Sequence, residues 1–424
     1  MGRWISPYGL SMPTRHMEEF AKGALTFRRA FCASPTCSPS RAALLTGQSP
    51  HEAGMLGLAH RGFSLSFPQR HLAAFLRSQG YETALFGVEH EIPEGRVDDF
   101  YDTYFQAARK PDPIGLAEDR FDADILNAEA AAQYLRDRSG KTPFFLSVGI
   151  FAPHRVFEQA DPAQYNPHHL QVPPPLPDTP AIRQDIANYM ATVAIADRAV
   201  GLVLDALKSS SAAADTLVIF TTDHGPAFPL MKCNLTDAGL GVTLIMDYPG
   251  LTRRGEATDA LVSHLDLYPT ICDLVGLPVP DWIAGKSLRP ILEESSQEVN
   301  ERIFAEVTHH VTYEPMRCIR TARHKLIRLF DEELRKPLAN VDNGLTKTEL
   351  VQAGLCDTPR DRVQLYDLLL DPFERSNLAG RPEMAGLQAQ LAGHLHDWMS
   401  ETNDPLLSGN DVAPPTTSPS LSRS

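Results

Sequence analysis

Cys37-Ser38-Pro39-Ser40-Arg41 puts a thiol and a guanidinium four residues apart at the start of a helix-like stretch. Ser38 suits a cap, Pro39 suits the first helical position, and Ala42, Ala43, Leu44 and Leu45 carry the helix to Gly47. Cys37 then lies just ahead of a helix N-terminus, a place that favours negative charge and can make a thiol reactive. Three polar pairs follow apolar runs in the same way. Glu89-His90 comes after Thr83–Phe86, Pro153-His154 after Phe144–Val148, and Asp223-His224 after Leu217–Phe220. In an open parallel sheet the working site lies beyond the carboxyl ends of the strands, so the three pairs should share one edge. Plainer readings stand beside these. Cys37 could be a buried thiol and Arg41 the partner of a carboxylate. His90 and His154 could be hydrogen-bonded core histidines, Asp223 a turn cap and Lys232 an exposed lysine.

The elements that must hold these residues alternate between strand and helix. Met17–Phe27 reads as a helix with Phe20, Leu25 and Phe27 inward. Leu72–Leu76 lies on a helix that ends at Gly80, and 121–135 is helical. Ile182, Ile186, Tyr189, Val193, Ala196, Val200, Leu204 and Leu207 recur at three-to-four spacing on one long helix. Thr243–Met246 is a further strand and Leu265–Leu274 a further helix. This rhythm implies an α/β fold, a large mixed, mostly parallel sheet with helices on both faces. After about residue 300 the texture changes. Ile303–Val307, Met316–Arg320 and Lys325–Leu329 read as short strands, and Met384–Met399 as a helix. The expected organisation is a catalytic α/β domain over 1–300, a C-terminal α+β domain over 301–408, and a disordered Pro/Ser/Thr-rich tail over 409–424.

The chain has 424 residues, of which 43% are hydrophobic and 22% charged, so wholesale disorder is excluded. No apolar run approaches the roughly 20 residues needed to cross a bilayer. The formal net charge of −14 argues against nucleic acid as the main partner but leaves room for a small anion in a local basic pocket. The six cysteines form no CxxC pair, so zinc-site spacing is absent. No apolar leader is visible at Met1-Gly2-Arg3-Trp4-Ile5. As given the chain is expected in the cytoplasm, or in the periplasm or secreted should its start lie upstream.

Cys37 through Gly47 resembles the signature of the sulfatase family, C-x-P-S-R followed by a helix and T-G. Leu217–Gly225 resembles the family's strand followed by D-N/H-G, Phe151–His154 its P-H segment, and Lys232–Gly239 its lysine loop. Gln364–Asp367 with Asp371–Glu374 and Asn377-Leu378 resembles its C-terminal motif. His309–Arg317 is similar to the stretch found in heparan N-sulfatase (sulfamidase) members. The resemblance implies an alkaline phosphatase-like fold and hydrolysis of a sulfuric ester or sulfamate on a sugar or small anion. It implies that a maturation enzyme converts Cys37 to formylglycine. It further implies that Asp223 and His224, with the product of Cys37, hold a divalent metal, with Ca²⁺ the expected ion. Arg41 would neutralise charge at the nucleophile and His90 would act as a base. His154 and Lys232 would face the sulfate or the leaving group, and His309 and His310 could read the sugar.

Two departures accompany the resemblance. The family's GKxH-like loop is Gly87-Val88-Glu89-His90 here, with Val88 in place of the lysine. Gly2-Arg3-Trp4 resembles the segment that follows the family's first strand, so that strand and its two metal-binding Asp are expected to be missing. A late start assignment or a true truncation would each account for this. Two other functions therefore stay open: hydrolysis of a phosphodiester or phosphonate monoester by the same nucleophile, and a truncated, non-catalytic homologue.

Overall fold

The computed structural model describes residues 1–108, 121–138, 142–409 and 412. Its strands are β1 (Leu25–Phe27), β2 (Ala30–Phe31), β3 (Glu82–Gly87), β4 (Thr103–Phe105), β5 (Phe144–Gly149), β6 (Val218–Thr221), β7 (Leu244–Asp247), β8 (Ala257–Thr258), β9 (Val262–Ser263), β10 (Arg302–His309), β11 (Tyr313–Thr321), β12 (His324–Leu329) and β13 (Val363–Asp367). Four hydrogen-bonded groups result, in the orders β6-β7-β1-β8, β4-β3-β5, β2-β9 and β10-β11-β12-β13.

The expectation of an α/β fold with mixed, mostly parallel pairing ahead of the C-terminal sheet holds. β3 runs parallel to both β4 and β5, whereas β7 is antiparallel to β6 and β1. Side chains alternate across the parallel group with the period of two that a strand imposes. Ala84, Phe86, Leu146 and Val148 pack with Ala131 and Val203, from helices Asp122–Asp137 and Pro180–Lys208. Leu85 and Phe145 pack on the other face with Ala42 and Ala73, from helices Cys37–Thr46 and Leu72–Ser78. The helix that carries the Cys-x-Pro-Ser-Arg motif therefore shares one core with the strand that leads to His90.

The expected helix over 17–27 is shorter than the sequence suggested. The helix spans Arg15–Lys22, Gly23 ends it, and Leu25–Phe27 forms β1. β1 gains backbone partners on both sides, β7 and β8, which outweighs the local helical spacing. β5 and β6 are each paired along one edge only and are only partly buried throughout, although β6 reads Val-Ile-Phe-Thr. An apolar strand with one open ladder is an incompletely covered element.

The C-terminal sheet is antiparallel throughout, and helix Ala385–Glu401 packs Leu391, Leu395 and Met399 onto Ile319, Leu326 and Leu365. Apart from Gly409 and Val412, the tail expected to be disordered lies outside the described residues. Among the described residues no helix is long and apolar enough to cross a membrane.

Candidate active site

Cys37 is the first residue of its helix rather than the residue ahead of it. Thr36 holds the cap position, and its carbonyl accepts the first helical bond from Ser40. Ser38, expected as the cap, instead accepts the backbone N–H of Ala59 on its hydroxyl. Gly47 ends the helix in the left-handed conformation, at φ 67°.

The thiol is 5% exposed and four basic groups converge on it. Burial alone would raise its pKa. The charge of Lys232 and hydrogen bonds from His154, His224 and His90 prevail and hold it well below the ordinary thiol value. The loops after β3, β5 and β6 thus deliver one histidine each to the same sulfur. His224 Nε2 lies 3.5 Å from Cys37 Sγ. The other ring nitrogens of His224 and His154 are fixed by neighbouring carbonyls. Nδ1 of His224 is 2.7 Å from Gly225 O, and Nδ1 of His154 is 2.7 Å from Arg155 O. His154 also stacks on Phe151, with ring centroids 4.6 Å apart.

Arg41, one helical turn beyond Cys37, places Nε 3.3 Å from Asp223 Oδ2 and Nη1 3.5 Å from Val88 O. Burial opposes its charge, while Asp223, Glu91 and Cys37 favour it and raise its pKa. Asp223 is drawn far below the ordinary carboxylate range. Burial alone would raise it, but His224 and Arg41 dominate. Ser40 Oγ donates to the Asp223 carbonyl, which ties the loop to the helix. The glycine of Asp223-His224-Gly225 has a steric reason, since a Cβ at Gly225 would stand 2.0 Å from Ala238 O. Lys232 is almost fully buried, with Nζ 3.0 Å from Asp342 Oδ2. Burial would lower its pKa, but Asp342 and Cys37 raise it.

Where the family lysine is expected, Val88 contributes only backbone: its N–H donates to Gly149 O and its carbonyl accepts from Arg41. Glu89 turns inward enough for Oε2 to accept the Ile92 N–H at 3.0 Å. Burial, together with the neighbouring Glu91, pushes its carboxyl up to about 7. The α-amino group of Met1 is buried within the electrostatic reach of Asp223, Lys232, Cys37 and Arg41, so Gly2-Arg3-Trp4 leaves directly from the site.

Among the described residues the site's metal-capable cluster is Cys37, Asp223 and His224, whose donor atoms lie within 4.8 Å of one another. An ionised carboxylate, an imidazole with Nε2 turned inward, and an atom of residue 37 fit one face of a divalent cation. The remaining positions would fall to substrate and water oxygens. Among the described residues no second carboxylate joins this cluster.

The sequence pointed to His310 but not to Asp342 or His60. His310 is buried beside Lys232, Cys37, Asp342 and His224, and burial lowers its pKa to about 3. His309 faces away, against Phe63 and Tyr313, with Nε2 at the Val412 carbonyl. Asp342 sits in an Asn-Val-Asp-Asn-Gly turn outside any motif, so no sequence signal marks it. His60 brings Nδ1 within 3.3 Å of His90 Nε2.

The sequence model of the family described as Sulfatase matches residues 5–277, and that described as N-sulphoglucosamine sulphohydrolase, C-terminal, matches 231–344. The chain is 31% identical over 453 residues to the N-sulphoglucosamine sulphohydrolase of Homo sapiens, covering 95% of this chain and 88% of that protein. It is 26% identical to an ulvan-active sulfatase of Formosa agariphila, covering 97% and 79%. Among solved structures, a 2-O GAG sulfatase superposes with a TM-score of 0.73 at 24% identity, covering 96% and 91%. The phosphonate monoester hydrolase of Silicibacter pomeroyi superposes at 0.72 and 20% identity, covering 96% and 95%.

Proposed function

The chain belongs to the sulfatase family, and from that premise we propose that it removes sulfate from a sulfated sugar through a formylglycine formed at Cys37, with an N-sulfoglucosamine unit as the candidate substrate. The observation that carries this reading is the convergence of His90, His154, His224 and Lys232 on one buried side chain at a helix N-terminus. A bare cysteine does not need so much positive charge. An oxygen nucleophile attacking an anionic sulfur centre does, because the transition state gathers charge at that point.

Converted to formylglycine, residue 37 would supply a hydrate with one hydroxyl to attack sulfur and a second whose deprotonation releases sulfate. A divalent cation, Ca²⁺ in this proposal, would supply neutralising charge for that attack. Asp223, His224 and residue 37 would hold it. Arg41 keeps Asp223 ionised and faces the same side. His90, within reach of residue 37, takes the proton of the second hydroxyl. His154 and Lys232 face the departing side. His154 directs Nε2 inward because Nδ1 is occupied, and Lys232 offers N–H donors to a sulfate oxygen or to the leaving atom. The human relative's name, which specifies N-sulphoglucosamine, supports the sugar proposed here.

Co-expression with a sulfatase-maturation enzyme tests the proposal. Mass spectrometry of the Cys37 peptide should show the thiol replaced by an aldehyde, and the same protein with Ca²⁺ should turn over an aryl sulfate. An unmodified thiol in fully active protein would reject it. Faster turnover of an aryl phosphodiester than of the aryl sulfate would move the reading to the phosphonate branch.

A further inference from the structure

Two side chains from the C-terminal part of the chain close the site on the side of Lys232. His310 lies in the turn between β10 and β11, and Asp342 lies between the short helix Leu338–Asn340 and the helix Leu345–Gln352. Asn340 locks the two segments together. Its Oδ1 accepts the N–H groups of Val311 and Thr312 at 3.0 and 2.9 Å, and its Nδ2 donates to Glu314. Lys336 and Arg360 pair with the same Glu314, so this wall is fixed before any ligand arrives.

The chemistry of the wall is specific. Asp342 is ionised and accepts only; Lys232 takes one of its acceptor positions and leaves others for a ligand. His310 is 6% exposed, stands among Lys232, Cys37, Asp342 and His224, and its Nδ1 has no hydrogen-bond partner. A buried polar nitrogen left without a partner is unfavourable unless a ligand supplies one. An acceptor-only carboxylate beside a ring nitrogen without a partner suits a group that can donate to the one and pair with the other at once, which a hydroxyl does. A second sulfate or a carboxylate would meet the charge of Asp342, and an ammonium would meet the charge of Lys232.

We propose that Asp342 and His310 are specificity-determining residues that read a free hydroxyl on the sugar carbon next to the one bearing the scissile sulfate. This inference rests on the sulfatase reading above and names the neighbour that the substrate must carry. Lys232 fixes the geometry. Its charge acts on Cys37 and its Nζ lies 3.0 Å from Asp342 Oδ2, so a sulfate held by Lys232 places the adjoining ring carbon on the side of Asp342.

The experiment uses the full chain, matured in a host with the converting enzyme and supplied with Ca²⁺. Values of kcat/KM are compared for p-nitrophenyl sulfate, glucosamine 2-N-sulfate and the 3-O-methyl ether of that sugar. In the wild type the methyl ether is expected to lose about tenfold or more relative to the parent sugar. D342N and H310F should each lose about tenfold more on the parent sugar than on the aryl sulfate, through KM. Neither variant should discriminate further against the ether. Equal losses on sugar and aryl sulfate would overturn the proposal and leave Asp342 as a partner of Lys232 only. Equal turnover of ether and parent by the wild type would overturn it without any variant. Turnover of the aryl sulfate but not of the sugar would also overturn it while leaving the sulfatase reading intact. Failure of the matured, Ca²⁺-loaded wild type on every sulfate would remove both.

Discussion

The Nε2 atom of His224 faces the sulfur of Cys37 at 3.5 Å while its Nδ1 is held 2.7 Å from the carbonyl of Gly225. A carbonyl only accepts, so Nδ1 carries the proton and the neutral ring turns a lone pair toward the nucleophile and Asp223. That orientation suits a metal ligand, and without a cation Asp223 and Cys37 draw a second proton onto the ring and raise its pKa against burial. His224→Ala should weaken divalent-cation binding by about tenfold or more. His224→Asn puts a hard amide oxygen in its place and should retain Ca²⁺ affinity. Calorimetric titration of wild type and both variants with Ca²⁺ checks this, and equal affinity in all three would remove His224 from the ligand set.

The charge around Cys37 can be read before maturation. In unconverted protein the thiolate should persist well below the ordinary thiol pKa, because Lys232 and three histidines stabilise it against burial. The rate of alkylation by iodoacetamide should therefore stay high as pH falls from 8 toward 6. Lys232→Met removes the largest favourable charge, so the midpoint of the alkylation profile should move up. An unmoved midpoint would mean that Lys232 points away from the sulfur.

Val88 and Glu89 together limit the site. Burial and Glu91 push Glu89 up to about 7, so it is neutral below that pH and adds a negative charge above it. A negative charge beside an anionic substrate is unfavourable, so kcat/KM on an aryl sulfate should fall as pH rises through about 7. Glu89→Gln should flatten that limb. Val88→Lys adds a cation, should also depress the Glu89 pKa, and should raise kcat/KM by about tenfold, equivalent to ~1.4 kcal/mol of transition-state stabilisation. A pH profile unchanged by Glu89→Gln would assign the limb to another group.

Much of this architecture is legible in the sequence for local reasons. The apolar runs that form β3, β5 and β6 are each followed within a few residues by a loop histidine, and helix Pro180–Lys208 repeats its buried residues at helical spacing. His90 and His154 meet at Cys37 because β3 and β5 run parallel and end on the same edge, which a pattern reading can foresee, while His224 arrives from β6 in a separate hydrogen-bonded group. Leu25–Phe27 was hidden because three residues carry no period and their state is set by β7 and β8, far away in sequence. Asp342 was hidden for a similar reason. A turn carboxylate looks like any solvated loop residue until long-range packing through Asn340 brings it to Lys232.

The loop that carries His154 is held by a buried ion pair that also joins distant parts of the chain. Arg155 donates from Nη1 and Nη2 to Asp185 at 2.9 and 2.8 Å, and from Nε to the Ala227 carbonyl at 2.7 Å. Its guanidinium lies 4.1 Å from the ring centroid of Phe157 and 4.7 Å from that of Phe228. Asp185 also accepts from the backbone and hydroxyl of Thr346, near Asp342. The Arg155 carbonyl, in turn, accepts His154 Nδ1. Removing the carboxylate takes from a buried guanidinium the anion that faces two of its nitrogens, so Asp185→Ala should cost about 3–5 kcal/mol in urea unfolding. The surviving folded protein should lose kcat more than KM, because the displaced element orients His154 without touching the sugar. Combining Asp185→Ala with Arg155→Met should be less destabilising than the sum of the two, since the second change removes the charge stranded by the first. A strictly additive double variant would show that the pair does not act as a unit and that the Thr346 contacts alone hold this corner.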